Sequence, residues 1–446
     1  MTNTNQSISF MRMFARGAYI SVDGVYANPA GLAFLNDGMH LSFSWQNASQ
    51  TRSIGSTFPL YPEPDNYRKY KGTASAPIVP SLFGVYKKGD LAFSGYIGFV
   101  GGGGKASFSQ GLPLFDSQVM AGIERTFRGF ISTAPESIQQ ALAPIPTTDF
   151  YNLASSMDGH QYIFGLQLGA SYKLADWLSV YGGARMNYFT GGYEGYVTAT
   201  FNKEMLANPT VAALVQSNPT MAAMASTPLV DLGLDVSQTG WGFQPVIGAN
   251  FKFGNLNLGL KYEFKTNLEI ENDTKKNTDP DGALAAFRDG VNTPSDIPSL
   301  FTAAAQYEIL PTLRGSAEFH FYDDKNAEMA DDKQKQLTRG TYEYLFGLEW
   351  DAHKYFTLSA GGQITDYGLS DKFQTDTAFS CDSYSIGFGT QLHLSKKIDV
   401  DVAYFWTTYS DYKATPSNNY NNTTLPGQSV YGRTNKVFGA GITYTF

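Results

Sequence analysis

Apolar and polar residues alternate along the stretch GMHLSFSWQNAS (38–49), and the fold class is inferred from this pattern. One set of alternate positions holds the apolar residues, and the other holds polar ones: Met39, Leu41, Phe43 and Trp45 against His40, Ser42, Ser44 and Gln46. A period of two residues is typical of a β-strand with one apolar and one polar face. We therefore predict a strand that begins near residue 38.

The same period recurs along the rest of the chain. Clear copies lie at 91–99, 162–172, 178–188, 241–251, 256–264, 313–321, 342–350, 356–360, 384–388, 398–406 and 438–446, with weaker ones near 80–88 and 297–308. This gives about fourteen strands. The opposite faces carry Gly, Ser, Gln and isolated charges, which is typical of a barrel with lipid outside and a polar lumen inside. Closure would also remove exposed sheet edges.

Long and short connections alternate between these strands. Long ones are predicted at 50–79, 102–158, 195–235, 271–296, 323–339, 365–382 and 411–431, and short turns at 87–90, 174–177, 253–255, 310–312, 351–354 and 395–397. Outer-membrane barrels have short periplasmic turns and long extracellular loops. The prediction is an all-β membrane protein, a 14-stranded antiparallel outer-membrane β-barrel, with helical extracellular loops at about 102–158 and 195–235.

Composition and charge exclude several classes of function. The 446 residues carry a formal net charge of −8, so a nucleic-acid partner has no electrostatic support. The lone cysteine, Cys381, cannot form an internal disulfide, and the five histidines lack metal-ligand spacing. We therefore expect no metal and no cofactor. The start MTNTNQSISF lacks the features of a signal peptide, and we expect one to have been removed.

An irregular segment precedes the first strand. In VYANPAGLAFLNDG (25–38), Pro29 removes a backbone donor, and Gly31 and Gly38 permit turns, as a barrel plug would require. With Asn-Pro-Ala at Asn28–Ala30 ahead of the strands, the chain resembles the FadL/TodX family of outer-membrane channels for long-chain fatty acids and other hydrophobic compounds. The resemblance implies an N-terminal hatch at 1–37 inside a barrel at 38–446, and a monomer.

The resemblance also implies a route without a continuous water-filled pore. Extracellular loops would capture the ligand, which would pass to a pocket against the hatch and leave sideways through a gap at the third strand. That strand here runs into Gly101, Gly102, Gly103 and Gly104. A glycine run suits a bulge or wall opening, although a flexible loop start is the alternative. We expect Asn28, Pro29 and Ala30 to face this run across the wall.

Candidate ligand contacts fall into three groups. Hatch residues that could contact an apolar tail, or simply pack the plug against the wall, are Phe10, Met11, Met13 and Phe14. Loop residues that could form an outer capture groove, or bury one another as a lid, are Leu112, Phe115, Met120, Met205, Leu214, Met221 and Met224. Cations that could bind a carboxylate head group are Arg185, Lys261, Lys265 and Arg314, unless lumen acids neutralise them.

We predict no enzymatic activity. Ser316 and His320 share a strand face, but positions i and i+4 on a strand lie about 13 Å apart, beyond the reach of a nucleophile and its base. The predicted function is passive uptake of hydrophobic small molecules across the bacterial outer membrane, with long-chain fatty acids as the favoured substrates. The alternative is a FadL-like barrel that anchors partner proteins. Membrane lipid and lipopolysaccharide would be the surroundings in either case.

Overall fold

The computed structural model describes residues 7–446. The wall strands in this range are β1 (Gly38–Thr57), β2 (Tyr67–Lys88), β3 (Leu91–Phe108), β4 (Tyr151–Ala175), β5 (Leu178–Phe201), β6 (Val230–Phe253), β7 (Leu256–Glu263 and Glu269–Asn277), β8 (Asn292–Pro294 and Leu300–Leu310), β9 (Leu313–Tyr322), β10 (Thr341–His353), β11 (Phe356–Asp366), β12 (Ser383–His393), β13 (Ile398–Tyr409) and β14 (Gln428–Thr445). Each pairs antiparallel with its neighbours, and β14 pairs with β1. The predicted 14-stranded antiparallel barrel is confirmed.

Strands β7 and β8 are each interrupted, and the two breaks lie side by side in the wall. The breaks span 264–268 and 295–299, and a single bridge between Thr266 and Ile297 joins the two strands there. A further two-residue strand, Tyr412–Lys413, pairs with the upper part of β14.

The outer face of the barrel carries a belt of exposed apolar side chains. Trp241 is 60 % exposed, Phe243 64 % and Phe346 54 %, whereas the lumen-facing His40 and Ser44 are buried. A continuous apolar belt of this kind is stable in lipid and a liability in water. On β1 the apolar outward positions end at Trp45, and the next outward position is Asn47. The chain is therefore an all-β membrane protein whose strands extend beyond the belt.

Residues 7–37, here called the N-terminal segment, lie inside the barrel. They form α1 (Ile8–Arg12), α2 (Gly24–Ala27) and a 3₁₀-helix (Pro29–Phe34). Helix α1 contacts β1 and β11–β14, and the 3₁₀-helix contacts β2–β6 on the other side of the lumen. Residues 1–6 of the predicted hatch lie outside the described residues.

Lumen side chains satisfy the irregular backbone of the N-terminal segment. Carbonyl groups of this segment accept hydrogen bonds from Asn257 (to Ala18), Gln167 (to Val25), Lys261 (to Tyr26), Ser171 (to Pro29) and Ser179 (to Ala30). A buried segment without regular structure needs such partners, because unpaired buried carbonyls are costly. The polar side chains of the lumen face therefore supply the hydrogen-bond partners that the backbone of this segment needs.

Long and short connections alternate as predicted. The long ones span 58–66, 109–150, 202–229, 278–291, 323–340, 367–382 and 410–427, and the short ones 89–90, 176–177, 254–255, 311–312, 354–355 and 394–397. Most long loops are shorter than predicted, because the strands continue past the belt with polar residues on their outer face.

Two of the long loops contain helices. These are α3 (Pro113–Ser132) and α4 (Glu136–Leu142) in the first, and α5 (Pro209–Ser217) and α6 (Pro219–Ser226) in the second. Their apolar faces pack together in a buried group, here called the loop cluster, that includes Leu112, Met120, Phe127, Leu214 and Met221. Among the described residues, no helix combines the length and apolar character needed to cross a membrane.

Candidate ligand cavity and wall gap

A cavity of ≈ 620 Å³ lies between the N-terminal segment and the long loops. Its lining includes Phe10 and Phe14 from the N-terminal segment, Phe405 from β13, and Phe108 and Leu112 below α3. The ring of Phe14 packs edge-on against Phe10 at 5.1 Å and against Phe405 at 5.6 Å between centroids. The cavity thus has an aromatic end at the N-terminal segment, and its volume suits a small organic molecule.

The barrel wall has a gap between β2 and β3. Their pairing runs from Lys88–Leu91 to Ser81–Gly98 and resumes at Ser75–Lys105, so that 76–80 and 99–104 are unpaired across this seam. Both sides disfavour a ladder. Pro77 and Pro80 have no backbone N–H to donate, and Gly102 and Gly104 have φ of +106° and +67°.

The cavity reaches this gap. Its lining includes 76–79 on the β2 side and Gly101, Gly102 and Gly104 on the β3 side, with Gly103 lying between them in the strand. The glycine run therefore lies in a strand at an interruption of the wall, and it is not the start of a loop. The Pro pair of β2 escaped the sequence prediction, which placed 50–79 in a loop. The signal was present as APIVP (76–80), two prolines within one extended stretch.

The Asn-Pro-Ala segment does not face the glycine run, and that prediction is wrong. The Pro29 carbonyl accepts a hydrogen bond from Ser171 Oγ at 2.6 Å, and Ser171 pairs with Ala92 of β3. Ala92 lies nine residues before Gly101 in sequence, which is about 30 Å along a strand. Asn28 donates instead to the carbonyls of Gly17 and Ala249. The segment is held near the short-turn end of the barrel.

The four apolar hatch candidates divide into two pairs. Phe10 and Phe14 line the cavity, whereas Met11 and Met13 do not. Met13 packs on the wall at Gly347, where a Cβ would lie 2.2 Å from Met13 Cγ. Met11 is fully buried with Ile8, Ala403 and Val437. The two methionines thus pack the N-terminal segment against the wall, which was the alternative for this group.

The loop candidates mostly pack against one another. Leu112, Met120, Leu214 and Met221 are buried members of the loop cluster, and Phe115, Met205 and Met224 pack against it while partly exposed. Of the seven, Leu112 alone also lines the cavity. This placement matches the lid alternative more closely than an open capture groove.

Each of the four predicted head-group cations is ion-paired within the protein. Arg185 and Lys261 share Glu263 at 2.7 and 2.6 Å, and Lys265 contacts Asp296 at 2.7 Å. Arg314 contacts Glu349 at 3.0 Å and Asp351 at 2.7 Å. None of these cations lines the cavity. The structure therefore favours the alternative of paired lumen charges over a head-group site at these positions.

Three cavity-lining cations were missed by the sequence prediction: the loop residue Lys333 and two arginines of the wall. Arg52 of β1 and Arg433 of β14 are paired on neighbouring strands, and both side chains face the lumen and line the cavity. The prediction ended the first strand near residue 49 and began the last strand at residue 438, so neither residue was placed on a lumen face. The signal was the continued alternation Ala48, Gln50, Arg52, which shares the inward parity of Gln46.

One carboxyl group of the cavity lining, in the long loop 367–382, has a perturbed pKa. Burial raises the pKa of Asp376 to about 6, although its carboxylate accepts hydrogen bonds from Leu114 N at 2.6 Å and from the Tyr431 hydroxyl at 3.1 Å. Asp376 thereby ties the loop 367–382 to the N-terminus of α3. Within residues 7–446, no group of three or more His, Cys, Asp or Glu side chains could hold a metal ion.

Comparison with known proteins finds solved structures that share this fold. No protein-family model and no curated protein matches the chain. The crystal structure of a Pseudomonas aeruginosa FadL homologue superposes with a TM-score of 0.67 at 14 % identity, covering 100 % of this chain and 99 % of that one. The Ralstonia pickettii toluene transporter TbuX gives 0.57 at 12 % identity with 98 % and 97 % covered. The Pseudomonas putida toluene transporter TodX gives 0.56 at 14 %, with 96 % and 95 % covered. The chain therefore has the fold of the FadL homologue and of the toluene transporters TodX and TbuX.

Proposed function

We propose that the protein is a passive outer-membrane channel for hydrophobic small molecules. The observation that carries the proposal is the single cavity that extends from Phe10 and Phe14 to the gap between β2 and β3. A cavity that meets a wall gap offers an apolar ligand a way out of the lumen. The solved structures with this fold include two proteins named as toluene transporters, which supports the same class of ligand.

The proposed route has three stages. Ligand enters beneath the extracellular loops, occupies the cavity, and leaves sideways between β2 and β3. The N-terminal segment acts as a plug that closes the lumen below the cavity, since its contacts reach wall strands on both sides of the lumen. The predicted route also left through a gap at the third strand, but the Asn-Pro-Ala segment that it placed beside the gap has no part in the proposed route.

Long-chain fatty acids are the substrates we propose. The lining combines aromatic rings at the N-terminal segment with polar and charged groups nearer the loops. Such a lining matches a molecule with an apolar tail and a polar head. The alternative of a partner-anchoring barrel is less favoured, because the loop cluster buries the apolar side chains that a partner would contact.

A reversible cross-link across the gap tests the lateral route. A Cβ at Gly104 would lie 3.9 Å from the Cβ of Ala76, within the span of about 3.5–4.5 Å that disulfides bridge. We therefore propose Ala76→Cys with Gly104→Cys, in a Cys381→Ser background. The positive φ of Gly104 makes this site strained for cysteine by roughly 1–2 kcal/mol, which a large barrel tolerates.

The matched control is Thr51→Cys with Thr434→Cys, which joins β1 to β14 at a directly paired position in continuous wall. Cells expressing each variant are assayed for uptake of radiolabelled oleate, with and without reductant. The cross-link ties the edge of the gap, one position beyond the Ser75–Lys105 pair. We expect it to lower uptake by narrowing the gap until the disulfide is reduced, and the control cross-link to leave uptake unchanged. Wild-type uptake through the oxidised gap variant would refute the lateral route.

A further inference from the structure

Two arginines of the cavity lining stand side by side on neighbouring strands. Arg52 and Arg433 are directly opposed in the register of β1 and β14. Opposed residues of an antiparallel pair have Cβ atoms about 4.5–5.5 Å apart, and like charges at such positions destabilise a sheet. An arrangement that is unfavourable for folding calls for a compensating role.

The two guanidinium groups lack acidic partners. Among residues 7–446, no carboxylate lies within ion-pair distance of either, and their Nε atoms are buried without a hydrogen-bond partner. Arg433 donates to Gln50 Oε1 at 3.1 Å and stacks over the ring of Tyr409 at 5.1 Å. The lumen arginines Arg12, Arg185 and Arg314, by contrast, each contact a carboxylate.

The acids that share the cavity lining are engaged elsewhere. Asp296 contacts Lys265, Glu343 contacts His320, and Asp324 accepts a hydrogen bond from Thr341 N at 3.1 Å. Asp376 accepts from Leu114 N and from Tyr431. The positive charge of the arginine pair is therefore available to a molecule in the cavity.

We propose that Arg52 and Arg433 together bind the carboxylate of an amphiphilic ligand. This inference rests on the proposed function, since it assigns the head-group site of the same cavity. A guanidinium donates two parallel hydrogen bonds to a carboxylate. Among the described residues Arg52 makes no hydrogen bond and Arg433 makes one, to Gln50. The four cations predicted from the sequence cannot take this role, because each is already paired.

The fold also orients the tail of such a ligand. Arg433, Asn435 and Val437 follow one another on the lumen face of β14, and all three line the cavity. Val437 lies about 13 Å along the strand from Arg433, next to Phe405 of the aromatic end. Arg52 lies seven residues beyond Trp45, the last apolar outward residue of β1, so the head group stays at the aqueous end. The tail then points toward Phe14.

The test compares ligands that differ in the head group alone. Binding of laurate and of dodecanol to the purified protein in a non-ionic detergent is measured by titration calorimetry. The proteins are the wild type, Arg52→Gln with Arg433→Gln, and the control Arg128→Gln. Arg128 is 74 % exposed on α3 and does not line the cavity. Gln keeps hydrogen-bonding capacity and removes the charge, and the paired change also removes the repulsion, so the variant is expected to fold at least as well.

We expect the wild type and Arg128→Gln to bind laurate about 10-fold to 100-fold more tightly than dodecanol, as hydrogen bonds to charged groups imply. The double variant should lose this preference and keep its affinity for dodecanol. Equal binding of both ligands by all three proteins would overturn the arginine site and leave the proposed function standing. If the wild type bound neither laurate nor dodecanol, the proposed function itself would be overturned. Binding of dodecyl phosphate but not of laurate would show that the pair serves a phosphate group, against the proposal.

Discussion

Replacement of Arg12 by methionine should release the N-terminal segment from the barrel wall. Arg12 is 2 % exposed and lies between two acids of the wall. Its Nη1 contacts Glu349 of β10 at 2.5 Å, and its Nε lies 2.8 Å from Asp401 of β13. The second contact is a pure ion pair, because its angles do not meet those of a hydrogen bond. Arg12→Met removes both contacts and keeps the length of the side chain.

The substitution deprives the two acids of different fractions of their polar contacts. Glu349 retains Arg314 at 3.0 Å, whereas Asp401 retains only Gln391, 3.4 Å away, among its hydrogen-bond partners in the described residues. The loss therefore falls mainly on Asp401, which becomes a buried carboxylate without a cation. Breaking a buried ion pair from one side costs about 3–5 kcal/mol. The ratio of docked to undocked segment should fall by about 150-fold to several thousand-fold.

Hydrogen exchange of the backbone amides measures this ratio. The amides of Met11 and Met13 donate within α1, so their protection reports docking of the segment. We expect their exchange to accelerate by the calculated factor, while amides of β4 and β5 keep their protection. In planar bilayers the variant should conduct ions more often than the wild type.

The control adds Asp401→Asn to Arg12→Met. The paired change leaves no isolated charge at Asp401, so it should recover most of the lost protection. Unchanged exchange in the single variant would refute the assignment of Arg12 as the anchor. A double variant less protected than the single one would refute the reasoning about the unpaired carboxylate.

Three further predictions concern the loops and the wall. Because burial raises the pKa of Asp376 to about 6, its protonation stabilises the docked loop fully below about pH 4, and this contribution is lost as the pH rises through 6. The protection factor of the Leu114 amide should follow that course, and Asp376→Asn should abolish it; a pH-independent wild type would contradict this. Burial raises the pKa of Cys381 to about 11, so maleimide labelling should require denaturation, and rapid labelling of the folded protein would be the contrary result. Gly347→Val should destabilise docking by about 1–3 kcal/mol by crowding Met13, detectable by the exchange assay, with Gly182→Val as the control because a Cβ there meets nothing within 4 Å.

The strands and the alternation of loops could be predicted because each strand carries its own signal in sequence. A lipid-facing strand must alternate, and the alternation is visible wherever the outer face is apolar, as from Met39 to Trp45. Beyond the belt the outer face becomes polar and the signal weakens, so Arg52 and the second strand's Pro77 were placed in a loop. The boundary error and the missed arginine pair thus have one physical cause.

Pairing across the lumen could not be predicted in the same way. Arg185 and Lys261 were predicted as lumen cations that acids could neutralise, and the structure shows that the two share one acid, Glu263. Which acid a cation meets depends on strand tilt and register, which a single sequence does not specify. The position of the Asn-Pro-Ala segment has the same dependence, since Ser171 and Ser179 hold it from two different wall strands.

The gap between β2 and β3 is built into the ground state of the wall. Unpaired backbone groups next to the membrane are tolerated only where they are buried in protein or line a cavity. The unpaired stretch begins at the end of the apolar belt, where Pro80 pairs with Trp45, and it lies against the cavity. Proline on one side and positive φ on the other oppose ladder formation independently, so substitution of one residue would not restore the ladder. An opening specified by the sequence of both strands needs no conformational change driven by an energy source to form. Passive uptake is therefore the mode of transport that the wall itself supports.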